Sequence, residues 1–598
     1  MKSLIAFFYL LAVAYAAYPP LVTDTQAFTS KRIPGISVTY RSPKICEKEG
    51  IKQYSGYVRI PPNTMSFKQD YPINTFFWFF EAHKEPEKAP LTVYLNGGPG
   101  SSSIAAGEVN NDSATTAPRE WAWNKLSNML FIDQPVQVGF SYDNLHNGTW
   151  GWNSEKKKWE YKLVGFQGEI PPNNATFYTG TFPSMETKYA TNSTHTSSEA
   201  FWYAMQGWTE AFPRYMSEGL SIYTQSYGGK YGPGFGSFIE RENDRIRAGE
   251  YKDSPKKPDI IQMNTIGLLS ACIDLPEGWG SVYTLGANNT FGIPFLSQPL
   301  ASSLHDQFHR PGGCKEQYYK YVALYPQDPY GDQGIVGNCV KEANSGVCNI
   351  THEQNRVTEH EYMVHMKRHR FDYTQSEEMP FPYKYALGYL MRADVQKELG
   401  VPLNFTSSSA AVYEGFEKTG DKFSPGSMEQ IAFLLGKGVR VSLSFGDRDY
   451  ACNWFGGERS SLALEYPFKK KFASAGYQKL LVDDIVGGEV REHGNFSFVR
   501  VYQAGHNIPA YQPLVSFKIF QRILQRKDLA TGTTDIHDDY TTTGPLKSTT
   551  KNYLPKEPLA EPECYIPTRL GCTNEQNKAL IEGSAVVEDY LVVQPGRG

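Results

Sequence analysis

With 598 residues, 40% of them apolar and 20% charged, the chain is longer than a single typical domain and can bury a large core, which excludes a disordered polypeptide. Its formal net charge is −4, and basic runs such as Lys469-Lys470-Lys471 have acidic neighbours within a turn or two, so they read as solvated faces and nothing points to nucleic acid. No Walker loop, dinucleotide fingerprint or internal repeat is present, and neither cofactor nor metal is inferred.

At the start of the chain, Lys2 precedes an apolar stretch from Leu4 to Val13 and the small-residue pattern Ala14-Tyr15-Ala16, which predicts a signal peptide over residues 1–17. The apolar run is too short to span a bilayer, so no membrane anchor is expected after cleavage. Secretion makes disulfides the expected use of the eight cysteines. Cys564 and Cys572 are near enough to close a small loop, and Cys314, Cys339 and Cys348 crowd one segment, but spacing does not set the connectivity. Asn-x-Ser/Thr sites at Asn111, Asn147, Asn174, Asn192, Asn288, Asn349, Asn404 and Asn495 fit N-linked glycans on a secreted or vacuolar protein.

Two strand-like runs follow, Thr75 to Glu81 and Leu91 to Leu95, and they read as a hairpin or as sheet neighbours. The second empties into Asn96-Gly97-Gly98-Pro99-Gly100, where glycines permit unusual backbone geometry and leave amides exposed. Met129 to Asp133 reads as a buried strand and Ser197 to Phe212 carries apolar residues at helical spacing. From Leu220 the order is strand, Gly-rich turn, then a helix ending at Gly249. Strands alternating with helices predict an α/β fold with a mostly parallel sheet and ligands at the carboxyl ends of its strands. Residues 284–405 break that rhythm and read as an inserted cap between core segments 18–283 and 406–531, with the strand pattern resuming at Gly438. The Thr-, Pro- and charge-rich extension 532–598 reads as irregular, pinned by a Cys564–Cys572 bridge. In the cap, His360, His365 and His369 miss the H-E-x-x-H spacing and read as a solvated helix.

Ser226, between the strand SIYTQ and the helix GGKYGP, has the setting of a nucleophile elbow, in which a tight turn pushes the hydroxyl above the sheet. Gly228 satisfies the later glycine of G-x-S-x-G, whereas Thr224 replaces the earlier one. An elbow serine needs a carboxylate and then a histidine further along the chain. Asp447 and Asp449 stand at the tip of a strand that ends at Gly446, and His506 lies on a glycine-bearing loop after another strand.

Together, the blocks FFWFFEA, LNGGPGSSS, WAWN, LFIDQPVQVGFSY, QSYGGKYGP, GDRDYACNWFGGE and AGHNIPAYQP, between Tyr54 and Gly532, resemble the serine carboxypeptidases, a family of secreted or vacuolar α/β-hydrolases. The resemblance implies an α/β-hydrolase fold with an inserted cap and an exopeptidase acting on peptide or protein C termini. Position by position it makes Ser226 the nucleophile, Asp449 the orienting acid and His506 the base, and leaves Asp447 a structural loop residue. It further assigns the oxyanion hole to the amides of Gly98 and Tyr227, and the clamp on the substrate carboxylate to the Asn96 side chain and the Gly97 amide.

The chain departs from the family in several places. A usual pair of hydrogen-bonded glutamates corresponds here to Gln225 and, counted without a gap, Asn110, with Glu108 close by. The segment AAGEVNNDSA is polar where relatives are apolar, and Tyr94 stands where many have tryptophan. Cys452 aligns with a cysteine that the family keeps free beside the substrate pocket. Two other functions remain open from sequence, an acyltransferase or esterase using the same acyl-enzyme and a glycoprotein that has lost catalysis.

Overall fold

A computed structural model describes residues 22–594 apart from 47–49, 105–108, 157, 167–169, 295, 329–367, 377–384, 554–562 and 570. The predicted signal peptide, Glu108, Cys339, Cys348, His360, His365 and the Asn349 site therefore lie outside the described residues.

The strands run in chain order as β1 (Gln26–Thr29), β2 (Ser37–Arg41), β3 (Gln53–Ile60), β4 (Ile73–Phe80), β5 (Leu91–Leu95), β6 (Asn128–Ile132), β7 (His146–Asn153), β8 (Lys158–Leu163), β9 (Phe177–Phe182), β10 (Leu220–Gln225) and β11 (Met263–Leu269). They continue as β12 (Arg368–His369), β13 (Asp372–Ser376), β14 (Arg440–Gly446), β15 (Gln478–Val482), β16 (Ile485–His493), β17 (Phe496–Val501), β18 (Val586–Glu588) and β19 (Leu591–Gln594). Twelve of them form one sheet in the order β1-β2-β3-β4-β6-β5-β10-β11-β14-β17-β16-β15. From β6 through β17 the pairings are parallel, and the strands at either edge are antiparallel.

Burial explains the strand sequences. β4, INTFFWFF, is apolar at successive positions because both faces are covered. Phe77 and Phe79 enter the cluster that holds Trp208 and Phe212, while Phe76 and Trp78 enter a second cluster with Phe140 and Leu390. The helices Thr194–Ala211, Gly228–Arg247 and Ser427–Gly436 supply one face with Trp202, Phe235 and Leu434. The helix Pro513–Leu524 covers the other with Val515, Ile519 and Phe520 against Tyr94, Met129 and Tyr223. The helix Thr194–Ala211 is started by a capping box in which Ser193 and Thr196 satisfy each other's backbone amides.

Three expectations are corrected. β4 and β5 are not neighbours, because β6 inserts between them, antiparallel to β4 and parallel to β5. A three-stranded sheet, β8-β7-β9, interrupts the first core segment, and its Trp150, Trp159 and Tyr178 pack on one another with tilted rings. The C-terminal extension is not merely irregular: it carries the expected Cys564–Cys572 bridge, the helix Asn574–Glu582 and the hairpin β18–β19, closed over a small apolar cluster against which Trp159 and Ala175 also pack. Between β11 and β14 the chain makes a long excursion containing the helices Leu275–Ala287, Gln298–His309 and Cys314–Val322 and the hairpin β12–β13. Among the described residues no helix is long and apolar enough to cross a membrane.

Candidate active site

The first candidate residue sits where β10 gives way to the helix Gly228–Arg247. Ser226 has φ +62°, a left-handed conformation that costs a non-glycine residue about 1–3 kcal/mol and persists only where its surroundings dictate it. Here they do so through the backbone: Ser226 N–H donates to Leu269 O at 3.2 Å, and Ser226 O accepts from Gly229 N–H and Cys272 N–H, both at 3.0 Å.

The other two candidates come from adjacent parallel strands, β14 and β17. A Cβ on Gly446 would lie 2.4 Å from both Ala504 O and Gly505 O, so only glycine lets the end of β14 press against the loop that follows β17. That contact brings His506 Nδ1 to 2.6 Å from Asp449 Oδ2, with the acid fully buried and the imidazole 4% exposed. Ala451 N–H donates to the other carboxylate oxygen at 3.0 Å. The Ser226 hydroxyl has no hydrogen-bond partner among the described residues, so no hydrogen bond joins it to His506 here; catalytic bonds between a nucleophile and its base often form only when substrate binds.

Asp447 plays a different part. Its buried carboxylate accepts from Gln503 N–H at 2.9 Å, Arg500 Nη2 at 3.3 Å and Asn552 Nδ2 in the C-terminal extension. Burial pushes its carboxyl up to about 6, against the opposing pull of Arg500. Because that value exceeds the ordinary ~3.9, the native chain retains a proton that the unfolded chain has lost between about pH 4 and 6. The group's contribution to stability therefore declines as pH rises through that window. Asp447→Asn is expected to flatten this part of the Tm-against-pH curve, and an unchanged slope there would refute the assignment.

The glycine loop lies against the elbow. A Cβ on Gly97 would fall 2.5 Å from Tyr227 N and 2.9 Å from Ser226 Cβ. The amides of Gly98, which has φ +114°, and Tyr227 donate to no protein group among the described residues, as an oxyanion site requires. The expected carboxylate clamp is folded onto its own loop, with Asn96 Nδ2 donating to Ser102 O at 3.1 Å and Gly97 N–H to Asn96 Oδ1 at 2.9 Å. Asp133 holds that loop from behind, accepting from Ser102 Oγ at 2.6 Å and Ser103 N–H at 2.9 Å, and burial lifts its carboxyl to about 6.

Two expected site residues are corrected. Asn110 does not meet Gln225: it is exposed and donates to Thr115 Oγ1 at 2.8 Å, in a tight turn organised by Asp112 accepting the Ala114 and Thr115 amides. Gln225 Oε1 instead accepts from the Tyr94 hydroxyl at 2.9 Å, across the β5–β10 pair. Cys452 is not free but bonded to Cys272, whose own amide supports the elbow. Sequence reasoning noted Tyr94 only as a departure and passed over Cys272. The available signals were that Tyr94 shares a strand face with Asn96, two residues on, and that Cys272 stands just beyond the carboxyl end of β11.

Beside the site lies a cavity of about 530 Å³, walled by Trp78, Phe80, Tyr94, Val109, Phe131 and Asn507 among others. Ser226, Asp449 and His506 do not line it; Tyr94, the partner of Gln225, and Asn507, next to His506 in the chain, do. Among the described residues no group of three or more His, Cys, Asp or Glu is placed to hold a metal ion.

Comparison with known proteins identifies the family. The family profile described as serine carboxypeptidase matches residues 43–526. Carboxypeptidase S1 homolog A from Arthroderma otae is 39% identical over 97% of this chain and 90% of its own. A Carboxypeptidase Y homolog from Arthroderma benhamiae is 36% identical over 97% of this chain and 93% of its own. In fold, the crystal structure of Kex1(delta)p, a prohormone-processing carboxypeptidase from Saccharomyces cerevisiae, superposes with a TM-score of 0.55 at 18% identity, covering 84% of this chain and 97% of that one. The chain thus belongs to the serine carboxypeptidase family and is a serine-type carboxypeptidase with an α/β-hydrolase fold.

Proposed function

We propose that this protein is secreted and removes residues from the C termini of peptides through an acyl-enzyme on Ser226. His506 takes the Ser226 proton as the hydroxyl attacks the last peptide carbonyl, then protonates the departing amino acid, while Asp449 keeps the imidazole in the productive tautomer. The oxyanion is received by the Gly98 and Tyr227 amides. Water then releases the acyl group. Two observations support this reading: the 2.6 Å contact between His506 and buried Asp449, and the left-handed backbone of Ser226 at the end of β10.

Exopeptidase action is supported by donors that suit a free carboxylate: the second N–H of Asn96 Nδ2 and the Gln225 amide, with the Gly97 amide joining them once it releases Asn96 Oδ1. Tyr94 donates to Gln225 Oε1, which directs the identity of the other end, since Nε2 must then be the end left to donate. An amide donates at every pH, whereas a glutamate there donates only when protonated. Gln225→Glu is therefore expected to cost about one to two decades in kcat/KM as pH rises from 5 to 7, relative to the wild type. Matching pH profiles for the two enzymes would remove Gln225 from the clamp.

The cavity beyond Tyr94 suits the side chain of the released residue, favouring bulky apolar C termini. Secretion is supported by the pattern of residues 1–17, the Asn-x-Ser/Thr sites and the bridges Cys272–Cys452 and Cys564–Cys572, which persist in oxidising compartments. The deciding experiment is mass spectrometry of peptide ladders from matched free-acid and amidated substrates. Stepwise loss from the free acids alone is expected. Equal turnover of the amidated peptides, with acyl transfer to a small alcohol or amine, would replace this reading by an acyltransferase.

A further inference from the structure

The hairpin β12–β13 reaches out of the excursion between β11 and β14 and touches both loops that carry the acid and the base. Phe371, at its tip, lies face to face with the His506 imidazole, ring centroids 4.6 Å apart and planes 25° from parallel. Its carbonyl oxygen accepts from His506 N–H at 2.8 Å, so ring and backbone of one residue hold ring and backbone of the other. The approach is close enough that a Cβ on Gly505 would lie 2.6 Å from Phe371 O. On the acid side, Arg370 O accepts from Tyr450 N–H at 3.2 Å and Ala451 N–H at 3.1 Å, and Tyr373 N–H donates to Arg448 O at 3.0 Å. The hairpin is anchored by a buried two-pronged pair in which Arg448 Nε and Nη2 donate to Asp372 Oδ1 and Oδ2 at 3.0 and 2.5 Å.

From this geometry we infer that Phe371 is a positioning residue for the catalytic base, set in place by the Asp372–Arg448 pair. The inference rests on His506 being that base. A single hydrogen bond from Nδ1 to Asp449 leaves the imidazole free to rock about it, which would swing Nε2 out of the line that proton transfer from the serine needs. A flat apolar ring against one face removes that freedom and excludes water from it. Phe371 is itself only half-buried, so core burial does not account for its placement. Misplacement of a reacting group by about 1 Å can cost a hundredfold in rate without altering how substrate is held.

The test compares wild type, Phe371→Leu and Phe371→Tyr by kcat, KM, Tm and the rate at which a serine-directed phosphonate labels Ser226. Leucine fills most of the volume but offers no flat face, and tyrosine restores it. Phe371→Leu is expected to lower kcat and the labelling rate together, by roughly ten- to a hundredfold, with KM within about twofold of wild type. Phe371→Tyr is expected to recover most of both. Asp372→Asn, which weakens the anchor and leaves the ring, is expected to give a smaller loss of the same kind. The inference is overturned if Phe371→Leu keeps wild-type kcat, or if KM and Tm deteriorate along with kcat and tyrosine rescues nothing. A wild-type enzyme that neither turns over peptides nor takes the label at Ser226 would overturn the acyl-enzyme reading as well, which separates the two failures.

Discussion

Ser226→Ala is expected to lower kcat by about a millionfold while leaving KM and Tm close to wild type. The size follows from the way the three groups act as a unit: without the hydroxyl, His506 has no proton to take, and the remaining acceleration is confined to the Gly98 and Tyr227 amides and substrate binding. Stability is spared because the Ser226 side chain makes no hydrogen bond among the described residues, and alanine inherits the same left-handed backbone at the same cost. Phosphonate labelling, followed by peptide mapping, gives an independent readout. Retention of activity to within tenfold, or labelling at another serine, would dismantle the mechanism proposed above.

Asp449→Asn is expected to cost about ten-thousandfold in kcat with little change in fold. An amide at this position can donate to Nδ1, which moves the imidazole proton to Nε2 and leaves no lone pair facing the serine. The two aspartates of GDRD should then separate cleanly. Asp447 touches Arg500 rather than the imidazole, with both side chains fully buried, so Asp447→Asn is expected to act on stability and its pH dependence while the turnover of folded molecules stays near wild type. Parallel kinetics and thermal melts of Asp449→Asn and Asp447→Asn check this. If Asp447→Asn gave the larger loss of kcat, the roles of the two would be exchanged.

The proposed chemistry of this protein is concentrated at strand ends, and that is why so much of it could be read from the chain. Ser226, Asp449 and His506 each follow a short β-branched or aromatic run, and each is accompanied by glycines that betray a sharp change of direction. Local pattern carries those signals. What it does not carry is the partner across the sheet: β6 inserts between β4 and β5, and Tyr94 finds Gln225 over a separation of 131 residues. Asn110 was misplaced for the same reason, since counting along a loop says nothing of a turn that closes on itself through Asp112 and Thr115. Phe371 carries no sequence mark at all. Its place depends on a hairpin that folds back from a long excursion onto two loops, a juxtaposition that only the assembled tertiary structure displays.

The bond between Cys272 and Cys452 spans 180 residues, from just past the end of β11 to just past the candidate acid. A ring of that size removes conformational freedom from the unfolded chain worth about 5 kcal/mol. It also fastens the whole excursion at its neck, like a drawstring pouch. A protease that nicked the backbone anywhere inside would leave two polypeptides travelling as one molecule, the elbow on the first and the imidazole on the second. Such a nicked form would migrate as two bands only after reduction.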